Sequence, residues 1–279
     1  MPTRKFRQLN NLQQRVITGF FGVCLVVGLL YVSEWGYFFI FGGLTILCQL
    51  EFFQLLFKDG NSPLRHYGTA VGALLFGLSF FIERGDLHPD WYLLMFPLLA
   101  LVYFIKLYKK TEEKPFTNIG FTFLGIAYAA LPFALLNMAV FAQGTYQFQT
   151  IMGILILLWA SDSGAYFAGV KFGRTALFAR VSPKKSWEGS IGGAAAATLT
   201  AFILSIYFTE LKPYHWFAIS TVVVVAGTYG DLVESLFKRS ILIKDSGSVL
   251  PGHGGFLDRF DGLLLSAPFI APLLKIILD

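Results

Sequence analysis

Long runs of apolar residues alternate with short polar segments along the whole chain. Nine of these runs come close to or exceed the roughly 20 residues that a helix needs to cross a bilayer. Because a lipid-exposed segment must satisfy its own backbone hydrogen bonds, we predict that each run forms a helix. The predicted spans cover residues 16–33, 35–57, 67–82, 91–108, 116–142, 150–170, 189–209, 215–237 and 260–278.

Three of the runs need separate comment. The third run, 67–82, is short, and the fifth, 116–142, is long and contains Pro132. Proline lacks a backbone donor and crowds the preceding turn, so we expect the fifth helix to be kinked or tilted. The first run follows the basic segment Met1–Arg15 and exceeds the roughly 7–15 apolar residues of a signal peptide, so we predict a retained span.

The composition agrees with a membrane protein. Of 279 residues, 55% are hydrophobic and only 14% are charged, whereas soluble domains carry about 25% charge. The net charge of +5 does not indicate a nucleic-acid-binding protein, because the cations lie between spans rather than on one soluble face. Cys24 and Cys48 lie inside apolar runs, which favours free thiols over a disulfide. No Cys/His spacing typical of a zinc site is present.

The distribution of lysine and arginine predicts the orientation. With the N-terminus in the cytoplasm and nine spans, 19 of the 22 lysines and arginines fall on the inside. Only Arg84, Lys212 and Lys275 remain outside. Cytoplasmic loops are enriched in these residues, so we predict an all-α polytopic membrane protein of about nine transmembrane helices, N-in and C-out. The inside segments are 1–15, 58–66, 106–114, 171–188 and 238–259.

The chain divides near residue 145 by the character of its spans. Residues 1–145 contain plain apolar spans, whereas the spans of residues 146–279 carry ionisable groups. The two longest inside loops, 171–188 and 238–259, lie in this second region and hold its polar motifs. We therefore predict an N-terminal transmembrane region followed by a C-terminal catalytic transmembrane region.

Asp162, Asp231 and Glu234 are carboxylates inside predicted spans of the C-terminal region. A carboxylate in hydrocarbon costs at least about 2.5–3.5 kcal/mol, so such groups usually face a polar cavity and mark function. Asp162 and Asp231 lie in the sixth and eighth spans, which run in the same direction and place the two residues at similar depths. Glu234 follows Asp231 by three positions, on a neighbouring face. A structural hydrogen bond to an adjacent helix is the alternative reading for each acid.

The loop 171–188 ends in Ser-Pro-Lys-Lys-Ser-Trp-Glu-Gly. We read Ser182 as the N-cap of the seventh span, with Pro183 at its first position and Lys184, Lys185 and Ser186 in its first turn. Cations there oppose the helix dipole unless an anion is bound, which favours a phosphate site over simple contact with lipid headgroups. In the same helix, small residues at 189 and 193 indicate close helix packing.

The loop 238–259 gathers charges of both signs. Its Pro-Gly-His-Gly-Gly segment, 251–255, predicts an irregular turn whose N–H groups can approach phosphate oxygens. Asp258 and Asp261, spaced i, i+3, share a helical face at the start of the ninth span, and hard carboxylate ligands beside phosphate suit Mg²⁺. The loop's cations are Lys238, Arg239, Lys244 and Arg259. No Walker motif is present, which excludes a P-loop enzyme.

These residues carry a resemblance to a known family. Residues 235–261 read Ser-x-Phe-Lys-Arg-x4-Lys-Asp-x-Gly-x2-Leu-Pro-x-His-Gly-Gly-Phe-x-Asp-Arg-Phe-Asp. This pattern resembles the signature of the phosphatidate cytidylyltransferase, or CDP-diacylglycerol synthase, family, without a departure. Residues 182–189 and the Trp-x-x-Asp-x-x-Ala-Tyr of 159–166 are also similar to the family. Over 1–150 the resemblance rests only on length and multi-span character.

The resemblance implies transfer of cytidylate from CTP to phosphatidate, with Mg²⁺ and with a second cation left open. It implies that Asp231 and Asp258 hold the metal, and we add Asp162 and Asp261 as further candidate ligands. Lys184, Lys185, Lys238, Arg239 and Arg259 are expected to clamp phosphates, and His253 is a further catalytic candidate. The candidate nucleotide-binding residues are Ser182, Lys184, Lys185, Ser186, Lys244, Gly254 and Gly255.

The resemblance also implies a homodimer in a bacterial inner membrane, with the active site facing the cytoplasm. Two alternatives stay open at this point. One is another CTP-dependent lipid transferase or a polyprenol kinase. The other, from a different class, is an ion-coupled transporter that uses Asp162 and Asp231 as ion ligands. Such transporters often show paired repeats, and none is evident in this sequence.

Overall fold

Helices connected by short loops build the protein. The computed structural model describes residues 22, 24–110, 112–243 and 255–278. Residues 24–32 are helical and are labelled α1. The further helices are α2 (Glu34–Lys58), α3 (Arg65–Glu83), α4 (Met95–Leu107), α5 (Pro115–Gly125), α6 (Leu131–Val140), α7 (Phe148–Phe172), α8 (Trp187–Tyr207), α9 (Pro213–Ser240) and α10 (Leu257–Leu278). A 3₁₀ turn, Pro89–Leu94, leads into α4.

Seven helical segments in the described part of the chain are long and apolar enough to cross a membrane. The multi-pass helical architecture is therefore confirmed. Helix α3 covers the third predicted span but is not among the seven, and most of the first predicted span lies outside the described residues. The count of nine and the N-in, C-out orientation stay predictions. Both cysteines are free, as expected.

The fifth predicted span is irregular at the place where proline was expected to disturb it. Helix α5 passes into a π-helical turn, Ile126–Ala130, before α6 begins. Pro132 lies in the first turn of α6, where its missing N–H needs no intrahelical partner. The wider π-helical turn immediately before the proline shifts the hydrogen-bond register of the helix. Tyr128 lies on this turn.

The loop between α7 and α8 contains the two short strands of the described residues. Strand β1 (Ala176–Phe178) pairs antiparallel with β2 (Ser182–Ser186), with Ala176 opposite Ser186 and Phe178 opposite Ser182. The prediction of an all-helical chain is thus modified in this loop only. The small sheet matters for the site, because it sets the direction of the lysine side chains on β2.

Small residues let α7 and α8 pack closely. A Cβ atom added at Gly193 would lie 2.8 Å from the carbonyl oxygen of Ser161, and one at Gly189 would lie 3.0 Å from that of Ala165. Real Cβ atoms essentially never come closer than 3.0 Å to another heavy atom, which excludes a side chain at Gly193, and the contact at Gly189 would be unusually tight. The predicted close packing of the two helices is therefore confirmed. The rigid α7–α8 pair supports β2 at one end of the bundle.

Contacts between loops occur at both ends of the bundle. Lys106 Nζ donates to the Ser62 carbonyl oxygen at 2.6 Å and pairs with Glu112, which joins two predicted inside segments. Burial raises the pKa of Glu112, but hydrogen bonds from Lys106 and other neighbours outweigh it and hold that pKa below its usual value. On the opposite end, Thr150 N donates to Glu210 Oε2 at 2.9 Å. Which end faces the cytoplasm stays a prediction.

Candidate active site

Three carboxylates from two helices converge at one end of the bundle. Asp231 and Glu234 lie on α9, and Asp261 lies in the second turn of α10. A carboxylate oxygen of each lies within 4.8 Å of the others. The i, i+3 spacing on α9 brings Asp231 and Glu234 to the same side of the helix. We call Asp231, Glu234 and Asp261 the carboxylate cluster.

Glycines allow α9 and α10 to approach closely enough to form this cluster. A Cβ atom at Gly230 would lie 2.4 Å from the carbonyl oxygen of Asp261 and 2.9 Å from the Cα of Gly262. One turn earlier on α9, a Cβ atom at Gly227 would lie 3.7 Å from Ser266 Oγ. Because backbone meets backbone at Gly230, any side chain at this position would separate the helices.

Two lysines contact the cluster from different elements. Lys185 Nζ, from β2, lies 2.6 Å from Asp231 Oδ2. Lys238 Nζ, from the last turns of α9, lies 2.7 Å from Glu234 Oε2 and 2.6 Å from Asp258 Oδ1. Each lysine offers several N–H donors, so it can hold a carboxylate and an anionic substrate oxygen together. The arrangement places positive charge beside the oxygens that would face a phosphate.

The interpretation of residues 182–186 as a helix start is wrong. Ser182 and Pro183 lie in strand β2, and the N-cap of α8 is Ser186, whose Oγ accepts from Gly189 N at 3.1 Å. The later serine caps the helix because β2 is held by pairing with β1 and because Trp187 N donates to Thr175 O at 3.0 Å. The expected conflict between two lysines and the helix dipole therefore does not arise.

Strand geometry gives Lys184 and Lys185 different environments. Successive side chains of a strand point to opposite faces, so Lys184 is exposed while Lys185 is half-buried against α9. Lys185 Nζ also lies 3.4 Å from the carbonyl oxygen of Thr228. Glu188, which follows on α8, accepts from the backbone N–H groups of Arg174 and Thr175 at 3.1 and 3.2 Å and fixes the preceding loop.

Asp258 and Asp162, two of the predicted metal ligands, lie beside the cluster rather than in it. Asp258 is joined to Glu234 through Lys238, and its Oδ2 accepts from Gly255 N at 3.4 Å. Asp162 is exposed on α7, within electrostatic range of Lys185 and Asp231. Sequence reasoning left Glu234 out of the ligand set, although its spacing from Asp231 was a usable signal.

The remaining predicted residues lie at the edge of the site or outside the described residues. Arg239 is exposed and donates to the carbonyl oxygen of Ile243 at 3.3 Å, and Arg259 is exposed at the start of α10. The buried backbone of Gly255 lies just before α10. His253, Lys244 and Gly254 lie outside the described residues.

Two residues of the N-terminal half reach this region and were not predicted. The carboxylate of Glu51, on α2, accepts from Phe256 N at 2.7 Å. The buried hydroxyl of Tyr128 has no hydrogen-bond partner among the described residues and lies within electrostatic range of Glu234 and Asp261. Glu51 lies inside the second predicted span, so its position as a carboxylate in an apolar run was a usable signal, whereas no local motif marks Tyr128.

The carboxylate cluster fits a divalent cation. Glu234 is only 1% exposed, and its Oε1 is buried without a hydrogen-bond partner in the described part of the chain. An orphaned carboxylate oxygen of this kind is costly unless it meets a cation. Three carboxylates are hard oxygen ligands, the type that Mg²⁺ uses in phosphate chemistry. Asp231, Glu234 and Asp261 are therefore the residues that could hold the ion.

The two neighbouring lysines provide a matched test of this geometry. For the cytidylate transfer that the resemblance implies, we expect Lys185→Ala to lower kcat/KM about 100-fold, because the substitution removes a cation that contacts the carboxylate cluster. Lys184→Ala should change kcat/KM less than threefold by comparison, because that side chain is exposed on the opposite face of β2. Steady-state kinetics on both purified variants measure the difference. Equal losses in the two variants would contradict the strand assignment.

Known proteins are similar to this chain over most of its length. A sequence profile described as the cytidylyltransferase family matches residues 13–277. A phosphatidate cytidylyltransferase of Bacillus subtilis is 31% identical over 274 residues, which cover 95% of this chain and 98% of that protein.

Shorter alignments reach higher identity with two further proteins of the same name. That of Haemophilus influenzae is 44% identical over 127 residues, 43% of this chain and 44% of the relative. That of Thermotoga maritima is 42% identical over 130 residues, 44% of this chain and 48% of the relative. The resemblance drawn from the loop motifs is confirmed by these matches. The chain, from its first predicted span to the end of α10, therefore belongs to the cytidylyltransferase family.

Proposed function

We propose that this protein transfers the cytidylyl group of CTP to phosphatidate, forming CDP-diacylglycerol and pyrophosphate. The observation that carries the proposal is the convergence of the carboxylate cluster with Lys185 and Lys238 at one end of a multi-pass helical bundle. The curated relatives in this family carry the name phosphatidate cytidylyltransferase, which supports the choice of substrates.

The reaction needs little covalent help from the protein. A phosphate oxygen of phosphatidate forms a bond to the α-phosphorus of CTP, and the bond from that phosphorus to the bridging oxygen of the β-phosphate breaks. The attacking oxygen is already anionic, so no general base has to remove a proton. The protein must bring two polyanions together in line and offset their repulsion, which positioning and fixed charges can do.

Named residues can perform these tasks. Lys185 and Lys238 would bind non-bridging phosphate oxygens, since their ammonium groups already lie among the acidic side chains. Asp231, Glu234 and Asp261 would hold Mg²⁺, and Asp258 would hold Lys238 in place. When bound, the cation supplies Lewis-acid neutralisation of phosphate oxygens. A second cation, as well as contacts of Arg239 and Arg259 with phosphates, remains part of the proposal.

A lipid substrate also needs an apolar path beside the site. A groove of about 480 Å³ lies between α9 and α10, and most of the residues that line it are apolar. Tyr229 and Val233, which line it, flank Asp231 on α9. We propose that an acyl chain of phosphatidate lies in this groove while its phosphate meets Lys185 and Lys238. The other lining residues are Thr221, Val222, Val225, Ala226, Leu265 and Phe269.

The decisive experiment follows the label of CTP. Purified protein is incubated with CTP labelled in the cytidine ring, phosphatidate and Mg²⁺, and the lipids are then separated. We expect labelled cytidine in the lipid fraction with release of one equivalent of pyrophosphate. Release of CDP with a phosphorylated polyprenol would indicate a kinase instead. Ion flux into liposomes without nucleotide, and without lipid labelling, would favour the transporter.

The cytoplasmic site and the homodimer are further parts of the proposal. A cysteine placed at exposed Lys184, in a background where Cys24 and Cys48 are serine, reports the side of the membrane. We expect an impermeant thiol reagent to label it only in inverted vesicles.

The homodimer has its own test. Light scattering of the detergent-solubilised protein should give the mass of two chains.

Asp258→Asn should nearly abolish cytidylyl transfer without affecting membrane insertion. Asp258 Oδ1 and Glu234 Oε2 share the ammonium group of Lys238, and loss of one charge redirects that lysine to Glu234. We expect kcat to fall about 10²–10³-fold, the range typical of losing one positioned charge in a catalytic site. Near wild-type turnover in the purified variant, with normal yield from membranes, would remove Asp258 from the site.

A further inference from the structure

Among the described residues, the position that caps the first turn of α10 is occupied by Phe256. Phe256 is the residue whose carbonyl accepts the first helical bond, from Phe260 N at 3.2 Å. A phenylalanine side chain offers no acceptor, whereas N-cap residues usually satisfy the free N–H groups with a side-chain oxygen. The N–H groups of Phe256 and Leu257 therefore depend on an acceptor from elsewhere. This turn leads directly to Asp258 and Asp261.

Glu51 supplies that acceptor from a distant part of the chain. Its Oε2 accepts from Phe256 N at 2.7 Å and lies 3.5 Å from Leu257 N. The residue is 205 positions away, on α2, and is only 5% exposed. A buried carboxylate at a helix N-terminus also interacts favourably with the helix dipole. The cap is thus both a hydrogen bond and a charge interaction.

We propose that Glu51 is a positioning residue for catalysis, which holds the start of α10 so that Asp258 and Asp261 stand at the correct distance from α9. Asp258 follows Leu257 directly, and Asp261 lies one turn further along the same helix. Displacement of this turn would move both carboxylates relative to Asp231 and Lys238. The contacts of Glu51 with Phe256 and Leu257 are made to backbone N–H groups, so its effect on the site passes through α10.

This role rests on the proposed cytidylyl transfer, and it gives the N-terminal half a part in the reaction. Helix α2 otherwise packs through aromatic side chains such as Phe52, whose ring stacks on Phe237 of α9 at a centroid distance of 5.0 Å. That contact fixes α2 beside the end of α9. Glu51, also on α2, then fixes the start of α10 against α2.

The test compares Glu51→Gln, Glu51→Ala and a matched control, Gln49→Met. Gln49 is a buried polar residue on the same helix, and its side-chain amide donates to Gly68 O at 3.2 Å, within the N-terminal half. Kinetics give kcat and the Mg²⁺ concentration for half-maximal activity. Hydrogen–deuterium exchange of residues 255–262 and thermal unfolding are measured on the same detergent-solubilised samples.

We expect Glu51→Ala to lower kcat about 100-fold, as small displacements of catalytic groups do, and to raise exchange in 255–262 at least tenfold. Glu51→Gln keeps an acceptor but loses the charge, which roughly halves the strength of the bond, so a loss of about tenfold in kcat is expected. Both variants should need more Mg²⁺ than wild type. Gln49→Met should lower only the unfolding temperature.

The outcomes separate this inference from the proposed function. If the wild-type protein does not form CDP-diacylglycerol, the proposed function fails, and the exchange data still decide whether Glu51 caps α10. If wild type is active, unchanged kcat and unchanged exchange at 255–262 in Glu51→Gln overturn the inference, even where Glu51→Ala does not fold. A loss of kcat in Gln49→Met equal to that in Glu51→Gln also overturns it, because the effect would then be general destabilisation.

Discussion

Asp231→Asn should lower kcat for cytidylyl transfer about 10³-fold, the largest effect that we expect from a single carboxylate. Asp231 belongs to the carboxylate cluster and also forms an ion pair with Lys185, whose Nζ lies 2.6 Å from Asp231 Oδ2. A catalytic metal site supplies several kcal/mol of transition-state stabilisation, and each 1.4 kcal/mol is a factor of ten in rate. Turnover at saturating CTP and phosphatidate measures the loss.

Glu234→Gln is expected to show a similar loss for a different reason. Glu234 is buried, and its Oε1 has no hydrogen-bond partner among the described residues, so it is the carboxylate most in need of a cation. A titration with Mn²⁺ followed by electron paramagnetic resonance should show weaker binding in both variants. Asp90→Asn, at an exposed site in the loop before α4, is the matched control and should behave as wild type. Unaltered Mn²⁺ affinity in both cluster variants would refute the metal assignment.

Gly230→Ala should disrupt the site without touching a charged group. The added methyl group would lie 2.4 Å from the carbonyl oxygen of Asp261, and neither backbone can yield without moving α9 away from α10. We expect kcat to fall at least about 100-fold, because the carboxylates of Asp231 and Asp261 would separate. Overpacking should also cost about 1–3 kcal/mol of stability, which thermal unfolding in detergent will detect.

A second glycine provides the control for this substitution. Gly77 lies in α3, where an added Cβ atom meets nothing within 4 Å. Gly77→Ala should leave kcat unchanged, and alanine's higher helix propensity should favour the helix slightly. If Gly230→Ala retains wild-type turnover, then close approach of the two helices is not needed to assemble the site, and the geometry of the carboxylate cluster does not explain activity.

The helices themselves were largely predictable from the sequence. The predicted spans 150–170 and 215–237 correspond to Phe148–Phe172 and Pro213–Ser240 in the structure. Agreement within three residues is expected, because a long apolar segment in lipid has few options other than a helix. The irregular fifth span was also predictable, since Pro132 disturbs any helix regardless of its neighbours.

The details of the site were less accessible to sequence reasoning. Ser182 and Ser186 are both plausible N-caps by local pattern, and only the pairing of β2 with β1 selects Ser186. The resemblance predicted Asp258 as a metal ligand, and this stays a prediction. The three carboxylates that converge in the structure are Asp231, Glu234 and Asp261, and Lys238 joins Asp258 to them. The convergence depends on the close approach of α9 to α10 at Gly230, which no spacing within a single helix encodes.

The sequence by itself determined that the chain crosses a membrane several times and which family it belongs to. These properties depend on residue type and local spacing, which are read along one segment at a time. Only the tertiary structure decided that Glu234 joins Asp231 and Asp261, that Lys185 rather than Lys184 faces them, and that Glu51 caps α10. Each of these contacts joins different elements of the fold, and the packing of glycines and aromatic rings between helices sets the distances.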